Sequence, residues 1–390
     1  MKRYLLIGAS ALFLLTVILA CSPRPAPTPV STPQPTPSAT TAPTSNLSPV
    51  RQTQGELPTS QDTAWSQVEE AAKKEGRLVI YGGSTLAQSG KEVQNVFTAR
   101  YGIPMDILIL GGSQQVEKLK VERGIGKSVA DVSQGGVSSL TDIVLSGTAE
   151  SVAEALPVLR DRSVFYIDPV YGPQKQIIGF LPTILGPLIN TNLVKPDEIK
   201  SWYDILNSKW KGRIIMDDPR TTGAGINAFS TLTYHKVLDH EYFRRLARQE
   251  PMLWGAGTRE SLLQVGRGEQ LINFAASNNN VAPFIAEGAP IKIIAVEEGN
   301  ISQLLAALVV KGAPHPNAAK LFINWLLTPE GQLTVAKSSS TLALRKDVPD
   351  FTPEKARFTP KKIWDRTWDV AEQSNEDLKS KITEQIFGRK

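Results

Sequence analysis

The chain has 390 residues, 41% hydrophobic and 21% charged, which gives room for two or three domains and excludes both a chain disordered throughout and a membrane bundle. Its formal net charge is +5, or +3 without Lys2 and Arg3, too small and too dispersed to point to nucleic acid. A single cysteine excludes an internal disulfide and a Cys-rich zinc site, and three histidines argue against a multi-histidine metal centre.

Lys2 and Arg3 form a short positive start, and Tyr4 to Leu19 is almost wholly apolar. A spanning helix needs about 20 apolar residues, so this run has the size of a signal-peptide core instead. It ends on Ala20-Cys21 and resembles a bacterial lipoprotein signal. The expectation is removal of residues 1–20 and acylation of Cys21, holding the chain on the outer side of a membrane. The competing reading is a free cysteine after a plain signal or an uncleaved anchor. Ten prolines then fall between positions 23 and 58, with Ser, Thr and Ala between them. Residues 21–63 hold too few large apolar groups to offset chain entropy, and they read as a disordered, extended tether.

Ala64 to Glu75 reads as a helix ended by Gly76, and Leu78 to Tyr81 as a buried strand. Gly82-Gly83-Ser84-Thr85 leads into a second helix stopped by Gly102. The pattern recurs: strand Met105–Leu110, turn Gly111-Gly112-Ser113, helix Gln114–Ile125. It recurs again with strand Val129–Ser133, then Gly135-Gly136-Val137-Ser138 and a short helix through Leu145. Alternating strand and helix predicts parallel βαβ units. In such sheets ligands bind beyond the carboxyl ends of the strands, where helix N-termini present free N–H groups and positive dipole ends. Ser84, Thr85, Gly112, Ser113, Gly136, Val137 and Ser138 are therefore candidates for holding a carboxylate or phosphate. The competing reading is ordinary turn and N-cap chemistry.

Signatures of catalysis fail. Gly126-Lys127-Ser128 lacks the glycine a phosphate loop needs at Val121 and leads into a strand. Leu86 and Gln115 stand where a nucleophile elbow needs its last glycine, and Arg244 replaces the second histidine of a zinc-protease pattern begun by His240-Glu241. No enzyme activity and no cofactor are expected.

Further along stand Ser201-Trp202-Tyr203-Asp204-Ile205-Leu206, Lys209-Trp210-Lys211-Gly212-Arg213-Ile214 and Met216 to Gly225. Then come Val309 to Ala319 and Phe322 to Gln332, the last including Thr328-Pro329-Glu330-Gly331-Gln332. This series resembles the extracellular solute-binding proteins of ABC importers, in the ferric-iron-type branch, over roughly residues 65–345. The resemblance implies an α/β, two-lobed type II periplasmic-binding-protein fold, each lobe a mainly parallel sheet flanked by helices, joined by crossing strands. Phe180 to Asn190 and Ile291 to Val296 are taken as the outward and return crossings. The lobes are then 64–180 plus 291–345, and 181–290 plus 346–390.

The second lobe offers its own anion loop, Thr221-Thr222-Gly223-Ala224-Gly225, between strand Arg213–Met216 and a helix. Ferric members of the resembled branch use adjacent tyrosines and a histidine. The corresponding stretch here is Ala275 to Asn280, without tyrosine, and Ser84-Thr85 stand in place of the histidine. Asn278 and Asn279 suit a polar organic ligand instead. Arg220 and Arg259 are candidate anion partners, and Trp254 a candidate stacking surface. The tail, with Trp364, Trp368, Ile382 and Ile386, reads as amphipathic helix packed on a lobe or, alternatively, as a permease-docking surface. Altogether the resemblance implies a monomeric, lipid-anchored receptor that delivers a small anionic or polar solute to an ABC permease. A ferric-iron receptor, or a solute receptor serving a sensor, is the alternative.

Overall fold

The structure is a computed structural model and describes residues 60–255, 258–373, 378–379 and 383–388. Cys21 and most of the proline-rich segment lie outside the described residues. The chain order is α1 (Ser60–Glu75), β1 (Leu78–Gly82), α2 (Ser84–Tyr101), β2 (Met105–Ile109), α3 (Gly112–Gly124), β3 (Val132–Gly136), α4 (Val137–Leu145), β4 (Ala149–Glu150), β5 (Val170–Tyr171) and β6 (Ile177–Asn190). It continues with β7 (Ile214–Asp217), α5 (Ala224–Tyr234), α6 (His240–Ala247), β8 (Met252–Trp254), α7 (Thr258–Gly266), β9 (Ile272–Ser277), α8 (Asn278–Ala286), β10 (Ile291–Ile293) and β11 (Asn300–Val310). Helices α9 (Pro316–Leu326) and α10 (Pro329–Ser338) follow, then β12 (Ile363–Asp365), α11 (Trp368–Glu372) and α12 (Thr383–Phe387). The first helix thus begins at Ser60, inside the stretch read as tether.

One continuous sheet runs in the order β2-β1-β3-β11-β6-β9-β7-β8. At one end β2, β1 and β3 are parallel, as the strand–helix alternation requires. At the other end β9, β7 and β8 are parallel. Between them β6 and β11 run antiparallel to each other and to their outer neighbours. These two strands are long because each serves both ends. Ile178 and Gly179 of β6 pair with Ala307 and Ala306, while Leu188 and Ile189 pair with β9. The sheet therefore has a first half (β1–β3) and a second half (β7–β9) joined by a two-strand waist.

The outward crossing falls within β6, as its apolar run suggests. The return crossing does not fall on Ile291–Val296. Residues Ile291–Ile293 form β10, a short strand pairing with the far end of β6, and β11 makes the return. The apolar run was misleading because β11 carries Asn300, Ser302 and Gln303, all buried, which break a hydrophobic reading. Asn300 is used structurally. Its Nδ2 donates to the carbonyls of Leu185 and Ile294, and its Oδ1 accepts from Val296 N–H. A Cβ at Gly186 would lie 2.2 Å from that Nδ2, so the waist needs glycine there. Pro187, which has no N–H to give, sits at a register shift between β6 and β9.

Each half has its own buried clusters. Phe97, Phe322 and Trp325 meet edge-on in the first half, with Trp325 fully buried. Trp202, Phe229, Phe243 and Phe274 fill the second. The C-terminal segment, expected on the second half alone, touches both. β12 pairs with the start of β11, Trp368 packs on the first-half cluster that contains Leu140 and Ile143, and Ile386 and Phe387 pack on the second half. Lys379 Nζ, largely buried, bonds Asp142 of α4.

Candidate ligand-binding cleft

The carboxyl ends of β1, β3 and β7 point into a space between the halves, because parallel strands followed by helices put every loop on one edge. That space is a cavity of about 450 Å³, within the range of small-molecule sites. Its wall includes the first turns of α2, α3, α4, α5 and α8. The residues before these helices are Gly83, Gly111, Gly136, Gly223 and Ser277, and none of the five caps its helix through a side chain to an N-terminal amide. An ordinary N-cap would fill those amides with its own oxygen. At α5 the Ala224 N–H is already taken by the Asp217 carboxylate; the other amides of these first turns are open to another acceptor, and five positive dipole ends converge on the same volume.

Of the sequence candidates, Ser84, Thr85, Gly112, Gly136, Thr221, Thr222 and Gly223 line the cavity, as does Ser138. Two of their hydroxyls are engaged across the cleft. Thr222 Oγ1 donates to Asp142 Oδ2 at 2.9 Å, and Thr85 Oγ1 accepts from Asn279 Nδ2 at 3.4 Å. Thr221 Oγ1 donates to the Asp218 carbonyl. Ser113, Val137, Asn278 and Asn279 stand outside the lining. Val137 is fully buried, and Asn278 Oδ1 accepts from Ile184 N–H of β6, which makes it a waist residue. Asn280 and Ser277 line the cavity in their place. Arg220 is not available to an anion, since its Nε and Nη2 hold Asp218 at 2.8 Å each. Arg259 does line the cavity, its guanidinium 4.9 Å from the Phe284 ring centre, and Trp254 lines it too.

Sequence reading missed the polar floor. Gln115, Gln134, Asn227 and Gln303 all reach the lining and are all buried. Gln115 is fully committed: Oε1 accepts from Ser133 Oγ, and Nε2 donates to the Leu110 and Gln134 carbonyls. Gln134 is half committed, with Oε1 accepting from Gly83 N–H at 2.9 Å. Asn227 Nδ2 donates to Gln303 Oε1 at 2.9 Å. Asp217, which the sequence marks only as part of an acidic pair with a solvated or capping role, is a lining residue as well. It ends β7 on the cavity wall, and burial pushes its carboxyl up to about 6; the Ala224 N–H opposes that rise and the Asp218 charge adds to it. For Asp217 the available signal was a carboxylate at the C-terminal end of a buried strand; Gln115 and Asn227 stand in the first turns of α3 and α5, and Gln134 and Gln303 are single amides within buried strands.

A second cavity of about equal volume lies on the second half, among Ile199, Lys200, Lys292, Phe358 and Lys361. Among the described residues, no α-helix begins in its lining. Among the described residues no group of three His, Cys, Asp or Glu side chains is placed to hold a metal.

The sequence profile of the family described as bacterial extracellular solute-binding protein matches residues 78–338, which spans both halves and the waist. The chain belongs to this family. A Haemophilus influenzae protein described as uncharacterized is 22% identical over 293 residues, covering 70% of this chain and 79% of that one. Among solved structures, the periplasmic binding protein AfuA from Actinobacillus pleuropneumoniae, with fructose-6-phosphate bound, superposes with a TM-score of 0.66 at 22% identity, covering 80% of this chain and 97% of that one. Iron-bound HitA from Pseudomonas aeruginosa gives a TM-score of 0.65 at 19% identity, with 80% and 99% covered. The ferric binding protein from Campylobacter jejuni gives 0.65 at 17%, with 79% and 99% covered. The architecture is that of type II periplasmic binding proteins.

Proposed function

We propose that this solute-binding protein is the receptor of an ABC importer, tethered outside the cell membrane through acylated Cys21, and that its cargo is a small anionic or polar solute. The observation that carries the reading is the set of five helix N-termini, drawn from both halves and none capped by its own N-cap side chain, around one cavity. The halves act as lobes, and β6 and β11 act as the hinge on which they close. Differential affinity for the closed arrangement drives that motion. A micromolar dissociation constant corresponds to about −8 kcal/mol, a scale that a few charge-assisted hydrogen bonds reach.

AfuA holds a sugar phosphate and HitA holds iron, so the fold alone does not choose between them. The lining favours an oxyanion. Its described residues include no tyrosine and no histidine, and its carboxylates are Asp217 and Glu260. Ferric iron requires more anionic oxygen than that. Thermal unfolding of the full chain against phosphates, carboxylates, sulfate and ferric citrate tests the reading. Saturation with a cognate anion at a hundredfold excess over its dissociation constant adds about 2.7 kcal/mol of stability. A shift with ferric citrate alone contradicts the proposal.

A further inference from the structure

The cavity is not uniformly suited to an anion. The first half presents donors: the amides that open α2, α3 and α4, and Gln134 Nε2. Gln134 is 1% exposed and lines the cavity; its Oε1 accepts from Gly83 N–H, while its Nε2, enclosed in the ligand-free protein, has no partner. The second half presents acceptors beside the amide of α5. Asn227 is 2% exposed and also lines the cavity, and its Oδ1 has no partner while its Nδ2 is held by Gln303. Asp217 adds a carboxylate on the same wall. A buried amide atom left unpaired costs about 1–3 kcal/mol, so a ligand that satisfies both atoms is favoured over one that satisfies either alone.

Resting on the receptor reading above, we propose that the cargo is a hydroxylated oxyanion, and that Asp217 and Asn227 select it by accepting from its hydroxyl groups while Gln134 and the helix N-termini hold its anionic end. An ammonium group would also donate to Asp217. The five converging positive dipole ends oppose a cation there, and Asn227 offers a neutral acceptor rather than a second charge. A plain alkyl anion of equal charge leaves Asn227 Oδ1 unpaired and brings its chain against the Asp217 carboxylate. Sites built to pair a hydroxyl reject the analogue that lacks it for this reason.

The test uses matched probes on the full chain, read by calorimetric titration. Gluconate is compared with hexanoate, and glycerol 3-phosphate with propyl phosphate; the two pairs separate a carboxylate from a phosphate ester. The expected result is that in at least one pair the hydroxylated member binds at least about 30-fold tighter, the scale of one or two hydrogen bonds to a charged group. In Asn227→Leu or Asp217→Asn that preference falls below about fivefold. The wild-type comparison stands even if a variant fails to fold. Equal affinity within both pairs overturns the donor requirement and leaves the anion-receptor reading intact. Tighter binding of 6-aminohexanoate than of gluconate overturns the choice of hydroxyl over ammonium. Absence of binding by all four anions overturns the inference, and a response to ferric citrate alone overturns the receptor reading with it.

Discussion

Asp217 sits where a carboxylate is costly to the ligand-free protein, and that cost is measurable. Its folded value of about 6 lies above the unfolded one of 3.8, so the protonated form is the better tolerated. A group raised in this way contributes stability below its unfolded value, and the contribution is lost as pH rises through the folded value. The full shift of about two units corresponds to about 3 kcal/mol; because the carboxylate borders an open cavity, about 1–2 kcal/mol is expected. Asp217→Asn therefore stabilises the ligand-free chain at pH 7 by that amount and removes the fall in stability between pH 4 and 6. Urea unfolding at several pH values reads this directly, and parallel curves for the two proteins contradict it.

The loop after Asp217 makes a sharper demand. A Cβ at Gly225 would lie 2.0 Å from the Asp217 carbonyl oxygen, because α5 starts almost against the end of β7. Backbone cannot yield as a side-chain tip does, so Gly225→Ala costs about 1–3 kcal/mol and displaces the α5 amides from the cavity. Loss of anion binding with little loss of stability would show that the loop moves; full retention of both would contradict the geometry.

At the scale of elements, the strand–Gly-Gly–helix repeat was legible, since Gly83, Gly111 and Gly136 recur after strands and the apolar spacing changes period at each. The Thr221–Gly225 loop was legible for the same reason. The cavity floor was not: Gln134 and Gln303 are single polar residues inside buried strands, and only their neighbours across the sheet turn them toward the ligand side. The return crossing was misplaced because its strand carries the buried polar groups that the waist requires. The tail was half legible. Its aromatic residues announced packing, but Arg366 shows what it packs for. Fully enclosed, this guanidinium donates to the Asn227 carbonyl and to the hydroxyls of Ser230 and Thr231 on α5, and burial pulls it down to about 9, still charged at neutral pH. Further along, Lys379 reaches Asp142 on α4, and Asp142 also accepts from Thr222. Removing one partner of a buried ion pair strands the other charge. Asp142→Asn is thus expected to destabilise the chain by about 2–4 kcal/mol, less than a fully enclosed pair would lose because Asp142 is partly exposed. A change under about 0.5 kcal/mol in denaturant unfolding would mean that the pair is screened by water.

For the whole molecule, the halves share one sheet but hold separate cores, so the stiffness between them rests on β6, β11 and the side chains that bridge the cleft. This is the arrangement expected of a hinge: two strands absorb the angle while both cores stay packed. Small-angle scattering is expected to show a smaller radius of gyration when a bound anion holds the cleft closed, with far-ultraviolet circular dichroism unchanged. The family match places solute capture at this level, and the proposed role of the helix N-termini would give it a physical cause.

The measurement that bears most directly on that cause is amide hydrogen exchange of the full chain with and without the tightest-binding anion of the four probes. Slowed exchange is predicted together at Ser84–Thr85, Gly112–Ser113, Val137–Ser138 and Gly225, because the acceptors of one ligand would take N–H bonds from amides of both halves. Protection confined to one half, or centred on the basic cavity near Lys200 and Lys292, would contradict the account.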